Sequence, residues 1–212
     1  SRKTSSPLSS SCTFAGRLVK VNNKVLYLLS ILAKFYKHLS YGKRKHLQSL
    51  AKCTIVQRMN SIASALASKF IVFDGPDGSG KSTQMRRFMQ WSSEQGLVIK
   101  EVREPGGTSI GEQIRQVLLD PTNDSMTIEC EMLLYMASRA QLVEQEIVPA
   151  IERGELVVAD RFVSATLAYQ GAAGGLPTKW IQQVAEVAVS GHWPDLTLIL
   201  DVDDKTAAGR LN

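Results

Sequence analysis

The sequence predicts an α/β fold, a parallel sheet covered by helices on both faces, and three observations predict it. Short apolar runs alternate with helix-length amphipathic stretches from residue 69 onward. The first run, 69–74, opens directly into Gly75-Pro76-Asp77-Gly78-Ser79-Gly80-Lys81-Ser82. That octet satisfies G-x-x-x-x-G-K-S/T at every fixed position. Its glycines let the backbone curl so that N–H groups converge on phosphate oxygens. Lys81 adds a point charge, and Ser82 offers a hydroxyl to a divalent cation. A nucleoside polyphosphate with Mg²⁺ is the ligand such a loop is built for.

Each element follows from local pattern. Residues 69–74 are apolar, β-branched and aromatic, as a central parallel strand requires. Residues 82–95 place Met85, Phe88, Met89 and Ser92 on one face before Gly96, giving a helix whose N-terminus faces the loop. Residues 97–102 form the second strand, which Pro105-Gly106-Gly107 ends. Residues 109–119 are helical and 120–125 form a loop. Thr127 then caps a long helix with Glu129 and Glu131 in its first turn, and that helix is expected to kink or end near Pro149. Residues 155–160 are the third strand. Pro177 starts a helix that Gly191 closes, and 196–202 form the fourth strand.

Charge divides the chain. Its 25 basic and 20 acidic residues give a formal net charge of +5, yet residues 1–73 contain 13 basic residues and no acid. From Asp74 onward 12 basic residues face 20 acidic ones, a balance of −8 that suits an ordinary acidic enzyme. Residues 1–68 are therefore set apart as a basic, Ser-rich leader expected to be disordered, and 69–212 as the nucleotide-binding domain. Three readings of the leader stand. It resembles a mitochondrial or plastid transit peptide in composition. It could be a basic tail for nucleic acid or anionic membrane, although it lacks the regular aromatic interleaving of a specific single-strand site. Or the protein starts at Met59, and the preceding residues are read from upstream. The apolar stretch 25–33 is far shorter than the roughly 20 residues of a membrane span. Cys12, Cys53 and Cys130 lack metal spacing and read as reduced thiols. The domain is expected in the cytoplasm, or in an organelle if the leader targets it.

The loop alone does not separate kinases from GTPases, motor proteins or other ATPases. No guanine-binding Asn-Lys-x-Asp follows Lys81. Instead come Arg103, Arg115, Arg139 and the pair Asp160-Arg161. Several arginines beyond a phosphate loop suit a second, phosphorylated substrate, because guanidinium groups clamp phosphate with paired donors. Each alone also reads as a solvated surface residue. REPGGT at 103–108, ASRAQLVE at 137–144, ADR at 159–161 followed by AYQG at 168–171, and WPDLTLILDV at 193–202 resemble the bacterial-type thymidylate kinases in order and spacing. The likeness covers about residue 69 to the C-terminus. It implies a three-layer P-loop NTPase fold with strand order 2-3-1-4-5. It also implies transfer of the ATP γ-phosphoryl group to dTMP, giving dTDP and ADP for dTTP synthesis, with Mg²⁺.

The same resemblance assigns residues. Gly75, Pro76, Asp77, Gly78, Ser79, Gly80, Lys81, Ser82 and Thr83 would hold the ATP phosphates. Lys81, Asp77, Arg115 and Arg161 would carry catalysis: Asp77 accepts from the sugar 3′-hydroxyl, while Arg115 and Arg161 clamp the dTMP phosphate. Pro105 belongs to the substrate pocket. Tyr135, one helical turn before Arg139, would stack on thymine while Arg139 bonds a base carbonyl; Tyr135 also reads as a packing residue. Thr166 would reach the base and Tyr169 would crowd the 2′ position. Asp160 would join Ser82 in serving Mg²⁺. No general base is needed, because a phosphate monoester is already an anion at neutral pH.

Two departures shape the expectation. Ala165 stands where the family's DR-x-x-x-S has serine, which removes a hydroxyl near the base. The chain stops at Asn212, whereas the family continues through an arginine-rich lid, further helices and a fifth strand. A C-terminally truncated domain is expected, with the fourth strand's outer edge bare and part of the transition-state charge missing. A homodimer is expected from the family. The alternatives are a kinase for another pyrimidine monophosphate and a non-catalytic nucleotide-binding fragment without the lid.

Overall fold

The computed structural model describes residues 17–21 and 64–211. Five parallel strands, β1 (Arg17–Val21), β2 (Phe70–Asp74), β3 (Ile99–Arg103), β4 (Leu156–Asp160) and β5 (Leu196–Leu200), lie in the order β1-β5-β2-β4-β3. The four strands read from the sequence thus take the order 2-3-1-4, as the P-loop fold requires. Helices are α1 (Lys81–Glu94), α2 (Ser109–Leu119), α3 (Ile128–Leu142), α4 (Val148–Glu152), α5 (Val163–Thr166), α6 (Thr178–Val189) and α7 (Asp204–Leu211).

Alternation along β2 builds a core on each face. Phe70 and Val72 join Val102, Val157 and Ala159 of the neighbouring strands with Met132 and Met136 of α3 and Ile181 and Ala185 of α6. Ile71 and Phe73 point the other way, onto Leu156, Val158, Leu198 and Leu200, under Met85 and Phe88 of α1. Successive strand side chains face opposite sides, so a strand covered on both must be apolar throughout. The continuous run at 70–73 is that signature.

The elements differ from expectation at places with local causes. Leu97 donates its N–H to the Ser92 carbonyl (3.2 Å) past a left-handed Gly96, so it finishes α1 and β3 begins at Ile99. Thr127 caps α3 through the Cys130 N–H (3.3 Å), as read. The helix does not break at Pro149: a π turn, Val143–Ile147, leads into α4. A wider turn makes room for a ring that lacks an N–H and crowds the carbonyl four residues back. Helix α6 stops at Ser190 in the left-handed region (φ 48°), one residue before Gly191. Strand β5 ends at Leu200, two residues early. Asp203 then accepts the Thr206 N–H (2.9 Å) and hydroxyl (2.7 Å), opening α7, and those bonds hold its carboxyl below the usual range.

Strand β1 corrects two expectations. The outer edge of β5 is not bare, and residues 17–21 are not disordered: the two strands pair from Arg17 with Leu196 to Val21 with Leu200. An open edge presents a row of unpaired N–H and C=O groups, and the backbone of residues 17–21 pairs with that row. Residues 64–68 are ordered as well: Leu66 packs against the cluster of Ile71 and Phe73, and the Ser68 N–H donates to the Gly154 carbonyl (3.4 Å). Residues 1–16 and 22–63, with Met59, Cys12 and Cys53, lie outside the described residues. Cys130 is a free, exposed thiol.

Ile181 is fully buried between α6 and the sheet. Ile181→Ala is expected to lower stability by about 2–5 kcal/mol, read as a lower urea midpoint at unchanged m-value.

Candidate active site

Open parallel sheets bind ligands beyond the carboxyl ends of their strands. Register sets Phe73, next to last in β2, beside Asp160, the last residue of β4. The loop from Gly75 to Gly80 then turns on three glycines at positive φ, Gly75 (144°), Gly78 (76°) and Gly80 (85°). Helix α1 starts at Lys81 with Gly80 as its cap and no side chain on its first N–H groups, so its positive end faces the loop. The Lys81 ammonium pairs with the Asp160 carboxylate. Asp74, buried, accepts the Gly75 N–H (2.8 Å) and the Ser164 hydroxyl.

Arg161 crosses from β4 to the loop. It occupies the left-handed region (φ 71°), and its N–H donates to the Phe73 carbonyl (2.9 Å). That conformation turns the guanidinium onto Asp77 (2.9 Å) and the Tyr169 hydroxyl (3.2 Å), 5.2 Å from the Tyr169 ring centre and 3.6 Å from Asp74. Arg115 donates to the Pro105 carbonyl (2.9 Å). Arg139 is buried against Glu104 and reaches the Thr166 hydroxyl (3.2 Å). Burial raises the Glu104 carboxyl, against the pull of Arg139's charge and hydrogen bonds. Burial also raises the half-buried Tyr135 phenol, with Glu131 adding to it and Arg161 and Arg115 opposing. Tyr135 therefore presents a neutral ring within the field of both arginines.

The structure thus gathers Asp77, Arg161 and Tyr169 in one contact group, Lys81 and Asp160 in a second, and Arg139 with Thr166 in a third. Ser82 and Thr83 follow on the first turn of α1, and Pro76 on the loop. Four participants were missed in the sequence. Asp74 and Ser164 support the loop; Glu104 was legible only as an acid among arginines. Arg210, on the unforeseen α7, donates to the Gly78 carbonyl (2.9 Å). A Cβ on Gly78 would lie 2.6 Å from the Ala207 carbonyl oxygen, so glycine is what lets α7 seat on the loop.

A phosphate loop after the central strand, a carboxylate ending the next strand and arginines facing them define a phosphotransferase of the P-loop class. The family model described as Thymidylate kinase matches residues 73–212. A curated thymidylate kinase from Symbiobacterium thermophilum is 49% identical over 143 residues, covering 68% of this chain and 67% of its own length. Another, from Maridesulfovibrio salexigens, is 43% identical over 141 residues, covering 66% and 65%. The chain spans about two thirds of the length of these relatives. The crystal structure of thymidylate kinase from Ehrlichia chaffeensis superposes with a TM-score of 0.59 at 34% identity, covering 68% of this chain and 78% of that one. The chain belongs to the thymidylate kinase family.

Gly78→Ala is expected to lift α7 off the loop. Hydrogen exchange across residues 204–211 should quicken on the order of tenfold while the sheet amides keep their protection.

Proposed function

We propose that this chain transfers the γ-phosphoryl group of ATP to dTMP, giving dTDP and ADP. The observation that carries this proposal is Arg161, bonded at once to Asp77 of the phosphate loop and to Tyr169, so that donor-side and acceptor-side groups meet in one chain of contacts. The names of the relatives, at 43–49% identity, favour dTMP over other pyrimidine monophosphates.

In this proposal the residues of the loop, Gly75 through Thr83, hold the donor phosphates, and Lys81 neutralises the group in flight. Arg161 and Arg115 clamp the acceptor phosphate, Asp77 accepts from the 3′-hydroxyl, and Tyr169 crowds the 2′ position. Tyr135 stacks on the base as a neutral phenol, Arg139 and Thr166 face a base carbonyl, and Pro105 lines the pocket. Positioning and positive charge then do most of the chemistry, and no general base is called for.

Ser82 and Asp160 supply a hydroxyl and a carboxylate, the hard oxygen donors that Mg²⁺ takes. Among the described residues no group of three or more His, Cys, Asp and Glu gathers to cage a metal. Such a pair fits a cation completed by phosphate oxygens and water. When bound, Mg²⁺ would neutralise charge on the β- and γ-phosphates.

A homodimer is proposed through the paired helices α2 and α3, which expose Ile110, Val117, Leu119 and Leu133. No described helix is long and apolar enough to cross a membrane. A cytoplasmic kinase is proposed on the bacterial origin of the relatives. A reporter carrying residues 1–68 tests this: diffuse signal supports it, and organellar accumulation replaces it with mitochondrial or plastid import.

The activity is tested by coupled ADP release with ATP, Mg²⁺ and each of dTMP, dUMP, UMP, CMP and GMP. Turnover should be fastest with dTMP, weaker with dUMP, and near background with the rest. Lys81→Ala should lower kcat by about 100-fold or more. Preference for UMP or CMP would make it a kinase for another pyrimidine, and no nucleotide-dependent release would leave a phosphate-binding module.

A further inference from the structure

Arg139 is the largest fully buried side chain among the described residues, and Glu104 supplies the carboxylate that meets its charge. Its Nε lies 3.0 and 2.9 Å from the two Glu104 oxygens, and its Nη2 donates to Glu104 Oε2 at 2.6 Å. The side chains are 1% and 4% exposed. Nη2 also reaches Thr166 Oγ1 at 3.2 Å, and the guanidinium lies 5.0 Å from the centre of the Phe162 ring. Nη1 sits 2.9 Å from the Met136 sulfur, a weak acceptor.

A guanidinium carries five N–H donors and no acceptor. The Nε hydrogen and both Nη2 hydrogens are taken by oxygens here. Only Nη1 keeps hydrogens that no oxygen engages. Whatever meets that edge must therefore bring an acceptor.

We propose that Glu104 is a positioning residue that locks Arg139 in one orientation, so that its Nη1 edge, which no oxygen engages, donates to a base carbonyl and refuses a base amino group. This rests on Arg139 and Thr166 facing the base. Glu104 follows β3 directly, and its own N–H donates to the Asp160 carbonyl (3.4 Å), which ties it to the end of β4. Its neighbour Pro105 holds Arg115. One dipeptide thus registers the base-side arginine and the phosphate-side arginine against each other. A planar fork held at two points has little rotational freedom left, unlike a lone buried cation. Thymine and uracil present a carbonyl at ring position 4, and cytosine presents an amino group. A donor facing a donor leaves both groups unpaired on burial.

The test compares the unaltered chain, Glu104→Gln, Glu104→Asp and the double variant Glu104→Gln with Arg139→Gln, by steady-state kinetics and by calorimetric titration of dTMP and dCMP. Glu104→Gln should raise the dTMP KM about tenfold, keep kcat within about threefold, leave the ATP KM unchanged and cut the preference for dTMP over dCMP about tenfold. Glu104→Asp should recover part of both. Should Glu104→Gln not fold, because Arg139 is left without a counter-charge, the double variant decides, since it removes both charges and substitutes an amide that offers an acceptor. It should bind dCMP nearly as well as dTMP. A folded Glu104→Gln with unchanged KM and preference would overturn the proposal, as would a double variant that still refuses dCMP. If the unaltered chain binds dTMP without releasing ADP, the kinase function fails and the binding preference still judges Glu104. If it binds neither nucleotide, both fall.

Discussion

The parallel register that sets Phe73 of β2 beside Asp160 of β4 is the constraint on which the site depends. Because the strands end together, the loop leaving β2 and the Asp160-Arg161 pair leaving β4 start from the same level. Lys81, returning at the head of α1, then meets Asp160. Arg161 uses its N–H on the Phe73 carbonyl, one further rung of the same pairing, and this holds a non-glycine residue in the left-handed region. That conformation costs on the order of 1 kcal/mol, and contacts with Asp77 and Tyr169 hold it in place. A shift of one residue would exchange the two buried faces of β2, misfit both cores and separate the two charges. The core thus protects the site: burying Phe70 and Val72 on one face and Ile71 and Phe73 on the other leaves a single register.

The second half of the site hangs from the helical layer. Helix α3 carries Tyr135 and Arg139 one turn apart and is packed by Met132 and Met136 against the sheet. Arg139 could not remain in that interior without Glu104, since an unpaired buried cation is strongly unfavourable. The loop after β3 is thus tied to α3 through this buried ion pair. Gly106 adds to this by donating its N–H to Ser138, the residue before Arg139 (3.0 Å).

Much of this was legible in the residues, and what was not has physical reasons. The octet at 75–82, the run at 69–74 and the cap at Thr127 report local chemistry, so they read correctly. Helix α7 did not: Asp-Lys-Thr-Ala-Ala-Gly-Arg-Leu has no apolar stripe, and what holds it is the Asp203 cap and contact with Gly78, which is remote in sequence. Residues 163–173 run through a short helix and a π turn, whose period differs from the 3.6 used to recognise helices. Strand β1 joins β5 across most of the chain, and no local pattern announces such a pairing. Glu104 and Arg139 were each visible, but their pairing depends on how the loop after β3 meets α3. Nothing in the sequence around Arg161 signals the left-handed backbone conformation that aims it.

The central claim is that donor and acceptor sites adjoin across Asp77 and Arg161. The most direct measurement is the equilibrium affinity of adenosine joined to thymidine through five phosphates, compared with ATP and dTMP separately. Adjoining sites predict binding at least about 100-fold tighter than either half, because the second contact becomes intramolecular. Affinity no better than that of the tighter half would contradict the arrangement.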